Sequence, residues 1–177
     1  MRSKEEILRT SLYAFTSLTE FCKTIPPEKF FEHPPGKWSV AENIRHLIIS
    51  TNTTTLAFRI PGFFLKWWAG IPNRPSRSYD ELVSRYRLKL KEGGRATGRF
   101  VPGNINASSS AQEWLEKWAS ATNKYINAVD KNYKDPSLDK YLVKHPLLGR
   151  ITLRELCYFT LYHCIHHHNI IRERLSL

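Results

Sequence analysis

Residues 152–175 read TLRELCYFTLYHCIHHHNIIRERL. Thr152 followed three residues later by Glu155 is a capping box: the hydroxyl serves an orphan amide of the first turn and the carboxylate returns to the cap amide. From there Leu153, Leu156, Cys157, Thr160, Leu161, Cys164 and Ile171 recur at helical spacing and give a helix over ~153–175 an apolar side. Four histidines, His163, His166, His167 and His168, fall within six positions of it. They are interrupted by Cys164 and Ile165 and embedded in a capped amphipathic helix, which is unlike a purification tag. His163 and His167 are four apart, so they share a face one turn apart and can chelate one ion. Position 170 is isoleucine, so His166 has no such partner, and residue 168 lies ~140° around the helix from residue 163. His166 and His168 are therefore not expected to be ligands. From this helix alone, an ion site and an amphipathic helix with core or solvated histidines stand as equal readings.

The same signals recur along the chain. Ser39 and Glu42 form a second box, opening a helix with the core stripe Val40, Ile44, Leu47, Ile48 and Thr51 that ends before Pro61. Ser78 and Glu81 open another, with Leu82, Val83, Tyr86 and Leu90 inward and Gly93–Gly94 as its stop. Ser110 and Glu113 open a fourth, ~111–130, carrying Trp114, Leu115, Trp118, Tyr125 and Val129. An N-terminal helix over ~4–23 is expected to bury Ile7, Leu8, Leu12, Phe15, Leu18 and Cys22, and Pro26 and Pro27 stop it. PPEKFFEHPPGK (26–37), with four prolines, is expected to be irregular, and YLVKHPLLGR (141–150) extended or turn-like. Five helices with almost no strand signal predict an all-α protein: a four-helix bundle with an additional short helix and long interhelical loops, one domain over residues 1–177.

Two of those loops are long. RIPGFFLKWWAGIPNRPSRS (59–78) is apolar and aromatic; GGRATGRFVPGNINASSS (93–110) is glycine-rich and polar. Loops of such length are uncommon unless functional or mobile. Phe63, Phe64, Leu65, Trp67 and Trp68 should not all face water. They would cover a bundle end, wall a ligand pocket, or meet a membrane or partner; a place at the pocket mouth is the functional expectation.

The net charge of +11 raises the question of a nucleic-acid partner. The cations are spread along the chain, and the densest run, Arg85 to Arg99, comes with no nucleic-acid-binding signature, so a solvated basic face is expected instead. No apolar run approaches the ~18–20 residues that span a bilayer, and the start MRSKEEILRTSL lacks the apolar core of a signal peptide. Three cysteines, an odd count without CxxC, do not suit a disulfide framework. A cytoplasmic protein is expected.

A facial metal site needs a third ligand. His46 is the candidate: it shares a narrow polar stripe, Asn43, His46, Ser50 and Thr53, distinct from its helix's apolar face. Such a stripe faces solvent or lines a wet internal site. His33 and His145, each before a proline, read as structural, and Trp38 is expected to be buried against the bundle rather than to line the site.

GKWSVAENIRHL (36–47) resembles the second helix of the DinB-like (YfiT-like) superfamily, and HPLLGRITLRELCYFTLYHCIHHHNII (145–171) resembles that family's C-terminal end. The resemblance implies a DinB-like bundle in which His46, His163 and His167 form a three-histidine site for a divalent metal ion, zinc or nickel foremost. Ile170 stands where the family often has glutamine, and Arg45 where it often has an acidic residue; the latter puts an acid/base role at that position in doubt. Glu42 lies one turn before His46, but its capping role already explains it. The implied partner is a small-molecule substrate, with a cofactor thiol as one candidate, and a homodimer is left open. Thiol-dependent transfer to a small electrophile is the leading expectation. Metal-dependent hydrolysis, a non-catalytic metal-binding stress-response protein and a basic nucleic-acid binder are the alternatives.

Overall fold

The computed structural model describes residues 2–103, 105 and 109–175; within the expected loop 93–110, positions 104 and 106–108 lie outside the described residues. In chain order the described elements are α1 (Lys4–Lys23), α2 (Pro27–Phe31), α3 (Val40–Ala57), α4 (Gly62–Ala69), α5 (Tyr79–Lys91), α6 (Ala111–Asn132), β1 (Leu142–His145), β2 (Gly149–Thr152) and α7 (Leu153–Leu175). Helix α3 packs on α6, α6 on α1, α1 on α7 and α7 back on α3, closing a four-helix ring; α5 lies outside it against α7. This is the all-α bundle that the periodicity predicts, with α5 as the expected shorter helix and α2 and α4 as further short ones.

The capping residues set where these helices begin. Ser39 with Glu42 and Ser78 with Glu81 make both bonds of the box, and the Ser110 hydroxyl accepts the Glu113 amide at 3.1 Å. Behind the caps, Phe15 packs edge-on against Trp118 at 5.4 Å and Tyr125 at 6.0 Å, and Phe58 packs edge-on against Tyr125 at 6.0 Å. These rings fill the centre of the bundle, where burial contributes most per side chain.

Several local expectations are corrected. Leu12 is 51% exposed, and Ser11 takes the buried place instead; Ile7, Ser11, Phe15, Leu18 and Cys22 step by three or four, whereas Leu12 is five from Ile7 and turns ~140° away. The proline-rich segment contains α2, because Pro27 sits at the first helical position, where no amide is needed, and Phe30 is fully buried. The aromatic loop contains α4, entered after Pro61 and ended by Gly70 at φ 87°. Leu65 and Ala69, one turn apart and fully buried, anchor it. Gly62 is required there: a Cβ would stand 2.3 Å from the Tyr141 ring. Residues 142–152 pair as an antiparallel hairpin, with Val143 opposite Ile151 and His145 opposite Gly149; only four residues per strand left little periodicity to read.

The first turn of α7 holds more than a cap. Thr152 and Glu155 make both box bonds, at 2.8 and 3.2 Å. The Glu155 carboxylate, fully buried, also accepts both terminal nitrogens of Arg74 at 2.8 and 3.0 Å, the Arg77 amide at 2.9 Å and the Arg77 guanidinium at 3.1 Å. Burial alone would raise its pKa; the Arg74 guanidinium, then the Thr152 and Arg77 amides, outweigh it and hold the group below the ordinary carboxylate value. The connection between α4 and α5 is thereby tied to the start of α7.

Breaking such a buried pair from one side costs ~3–5 kcal/mol. Urea unfolding at pH 7 should show Glu155→Gln destabilised by about that amount, and a loss below ~1 kcal/mol would place the carboxylate outside the stabilising network. Because the folded pKa is depressed, the contribution should be complete above the unfolded carboxylate's range and fade as pH falls through the lowered folded value.

Candidate metal centre

Helices α3 and α7 each bury a polar stripe, and the two stripes face each other. From α3 come Asn43, His46, Ser50 and Thr54; from α7 come His163 and His167, all under 10% exposed. Three imidazoles meet between them. His163 Nε2 lies 3.0 Å from His46 Nε2 and 3.1 Å from His167 Nε2. Among the described residues, His46, His163 and His167 form the group of ligand-type side chains able to hold one metal ion.

Hydrogen bonds on the far side of two of the rings fix what their near sides offer. His46 Nδ1 lies 2.7 Å from the Phe100 carbonyl, which can only accept, so His46 donates there and its Nε2 carries a lone pair. Asn43 Nδ2 donates to the Ser39 carbonyl at 2.8 Å, which turns the Asn43 Oδ1 toward His167 Nδ1 at 2.7 Å. His167 therefore donates from Nδ1, and its Nε2 is likewise a lone pair. His163 stands between them, with Ser50 Oγ 3.3 Å from its Nδ1. As a donor, His163 Nε2 could satisfy one neighbour and leave the other lone pair buried without a proton. One cation at the meeting point satisfies all three, so the residues present fit a metal ion. Tetrahedral zinc at ~2.0–2.1 Å spaces its ligand nitrogens ~3.3 Å apart, a few tenths of an ångström beyond the separations here.

Burial lowers the pKa of His46 despite the Phe100 bond. Burial and then the neighbouring imidazoles push His163 and His167 well below the ordinary value. All three are neutral at pH 7, the state that ligates.

The cluster lies on the wall of an open cavity of about 860 Å³. One stripe of α7 runs along it: Leu156, Phe159, His163, His167, Ile170 and Arg174. The glycine-rich segment closes one side, with Gly94–Thr97 and Arg99–Val101 on the wall. Two residues of α3 hold it there: His46 through the Phe100 carbonyl, and Arg45, whose Nη1 donates to the Gly103 carbonyl at 3.0 Å. Arg45 thus helps to hold the cover in place.

Trp38 corrects its expectation. It is half-buried and lines the cavity, its ring 5.0 Å from His46 and stacked on His167 at 6.2 Å and 8°. The residue just before a helix cap lies alongside the first turn, here on the Asn43–His46 side. Of the aromatic stretch, only Trp68 reaches the cavity wall; Phe63, Phe64 and Trp67 point outward, Trp67 at 85% exposure. His166 lines the cavity outside the cluster, stacked on Tyr162, and His168 packs against Phe21. His33 pairs with Glu42 at the surface. His145 accepts the Leu147 and Leu148 amides at 3.2 and 3.1 Å in the hairpin turn, and burial lowers its pKa to about 4. The Phe100 carbonyl has no sequence signal, because any residue could supply it.

A family model described as the DinB superfamily matches residues 13–171. The chain belongs to that superfamily. No curated protein matches it.

The tautomers can be read without any metal. In a long-range ¹H–¹⁵N correlation spectrum of the metal-free protein at pH 7, His46 and His167 should show the Nδ1–H pattern. Asn43→Ala should release His167 to a mixture and leave His46 unchanged; an Nε2–H pattern at His46 would contradict the arrangement.

Proposed function

We propose that this member of the superfamily is a divalent-metal-dependent enzyme that transfers a small-molecule thiol to a small electrophile. One observation carries the reading: three imidazole Nε2 atoms converge on the wall of an open cavity that, among the described residues, bears neither a carboxylate nor a cysteine. His46, His163 and His167 would hold a zinc or nickel ion, which would supply Lewis acidity and lower the pKa of a thiol or of water.

The chain's own residues do the rest. Asn43 and the Phe100 carbonyl orient two of the rings, the role such outer partners play in metal sites. The Trp38 ring holds His167 from the side. Phe159, Leu156 and Val143 offer an apolar wall that binds the substrate's body and excludes water. The chain supplies no nucleophilic thiol of its own: Cys22, Cys157 and Cys164 are buried, which pushes Cys22 and Cys157 up to about 12 and Cys164 higher still. The thiol must arrive as a substrate. A thiol, with an ordinary pKa of ~8.5, needs little help to ionise; hydrolysis would ask for a general base to assist water. Glu42, the nearest carboxylate in sequence, is engaged by the Ser39 amide at 2.6 Å and by His33 at 2.8 Å. This favours transfer over hydrolysis. The reducing cytoplasm suits the chemistry, and three unpaired cysteines agree with it.

Elemental analysis of untagged protein should find about one divalent ion per chain. His46→Ala, His163→Gln and His167→Gln should each lose it, while His166→Gln and His168→Gln keep it. Equal, small losses across all the variants would mean capture by a histidine-rich patch, and the site would be abandoned. Zinc-loaded protein should accelerate conjugation of small thiols to 1-chloro-2,4-dinitrobenzene; chelation should abolish this, and a triple Cys→Ser variant should retain it. Metal-dependent ester cleavage without thiol turnover would favour the hydrolase instead.

A further inference from the structure

The charged side chains on the cavity wall are of one sign. Lys37, Arg95, Arg99, Lys144 and Arg174 line it, and among the described residues no aspartate or glutamate does. Elsewhere the chain pairs its cations with nearby acids: Lys23 with Glu20, Lys29 with Glu32, Lys89 with Glu92. Inside the cavity the cations meet rings and carbonyls instead. Lys144 lies 5.0 Å over the Trp68 ring, Arg99 lies 5.1 Å over the Phe100 ring, and Arg95 donates to the Gly94 carbonyl at 3.0 Å.

Arg174 is the most telling of the five. Its Nη1 is buried and has no hydrogen-bond partner among the described residues. Burial depresses its pKa, and Glu42 is the carboxylate that acts back on it. That carboxylate is already taken by the Ser39 amide and His33. Arg174 as a whole is only partly buried and lines the cavity, so it is placed to meet a bound anion. The flat guanidinium fork suits carboxylate, sulfonate and phosphate. Lys37 also lines the cavity, next in sequence to Trp38, whose ring stacks on His167.

The α7 stripe gives the cavity a direction. Arg174 is seven residues beyond His167, on the same face and ~10 Å along the helix. In the other direction the stripe turns apolar at Phe159 and Leu156; Val143, Leu147, Ile60 and Trp68 also line the cavity, with Lys144 over the Trp68 ring. An occupant that matches both ends carries an anionic group at one end and an apolar body reaching past the histidines.

We infer that the cavity takes an anionic organic ligand, its carboxylate, sulfonate or phosphate held by Arg174 and Lys37 and its apolar body lying along Phe159 and Leu156. This builds on the reading of the cavity as the substrate site, and names the class of molecule that occupies it. Arg174 and Lys37 are not part of the three-imidazole cluster, so the anion preference belongs to the protein with or without a metal ion.

The probes are 4-phenylbutyrate, 4-phenylbutanol and 4-phenylbutylamine, which share a body and differ in head charge. Their affinities are measured by isothermal titration on zinc-loaded and zinc-free protein. The acid should bind at least about tenfold more tightly than the alcohol in both forms, and the amine most weakly. Arg174→Gln should erase most of that preference while leaving the alcohol's affinity unchanged, which also reports an intact cavity. Arg174→Lys should restore part of it, and Lys37→Gln should reduce it. Equal binding of acid and alcohol, or an undiminished preference in Arg174→Gln, overturns the inference. A preference present only in the zinc-loaded form also overturns it, since the carboxylate would then be a metal ligand, and leaves the metal reading standing. A chain that takes up no zinc yet keeps the Arg174-dependent preference defeats the metal reading and upholds this one.

Discussion

Lone pairs of His46 and His167, each aimed by a hydrogen bond on the far side of its ring, are buried against His163 with at most one proton to share among them. An unsatisfied buried polar group costs ~1–3 kcal/mol by mutational measures. The arrangement persists because the helices around it are over-determined: α3 is gripped by α6 and α7 is gripped by α1, so their polar stripes are forced together. A cation at the meeting point would turn this liability into a binding site. The bundle's stability is thus the source of the cluster's preorganisation.

Other features of the molecule take their place from that seam. The Phe100 carbonyl that fixes His46 belongs to the glycine-rich segment, so the same bond that orients a ring also seats the cavity's cover. Arg45, one residue away on α3, holds the segment again at Gly103. The Arg74–Glu155–Arg77 network ties the start of α7 to the chain that follows α4, and α4 in turn lays Trp68 on the cavity wall. Site and scaffold therefore share their bonds.

Much of this was legible in the sequence because it is local. Ser39–Glu42, Ser78–Glu81 and Thr152–Glu155 announce helix starts through side chains three residues apart, and 3.6-residue periodicity announces the faces. The spacing of His163 and His167 shows that they share a face but leaves an ion site and core histidines as equal readings; His46 needed a polar stripe and a family resemblance to be matched with them. What was missed is tertiary or very short. Helices α2 and α4 are too brief for periodicity and are bounded by prolines that read as breakers. Trp38 was expected in the core because tryptophan is large and apolar, yet its position before the cap delivers it to the histidines. The partners of Glu155 lie about 80 residues away, and no local pattern connects them. Arg174 carries no local signal of its place on the cavity wall.

The central claim is that His46, His163 and His167 ligate a single ion through Nε2. X-ray absorption at the zinc edge, on untagged protein loaded with one equivalent of zinc, tests it most directly. The account predicts a first shell of only nitrogen or oxygen near ~2.0 Å, with outer-shell scattering that fits three imidazoles and loses one in His46→Gln. A sulfur shell near ~2.3 Å, or an imidazole count unaffected by the His46 substitution, would contradict it.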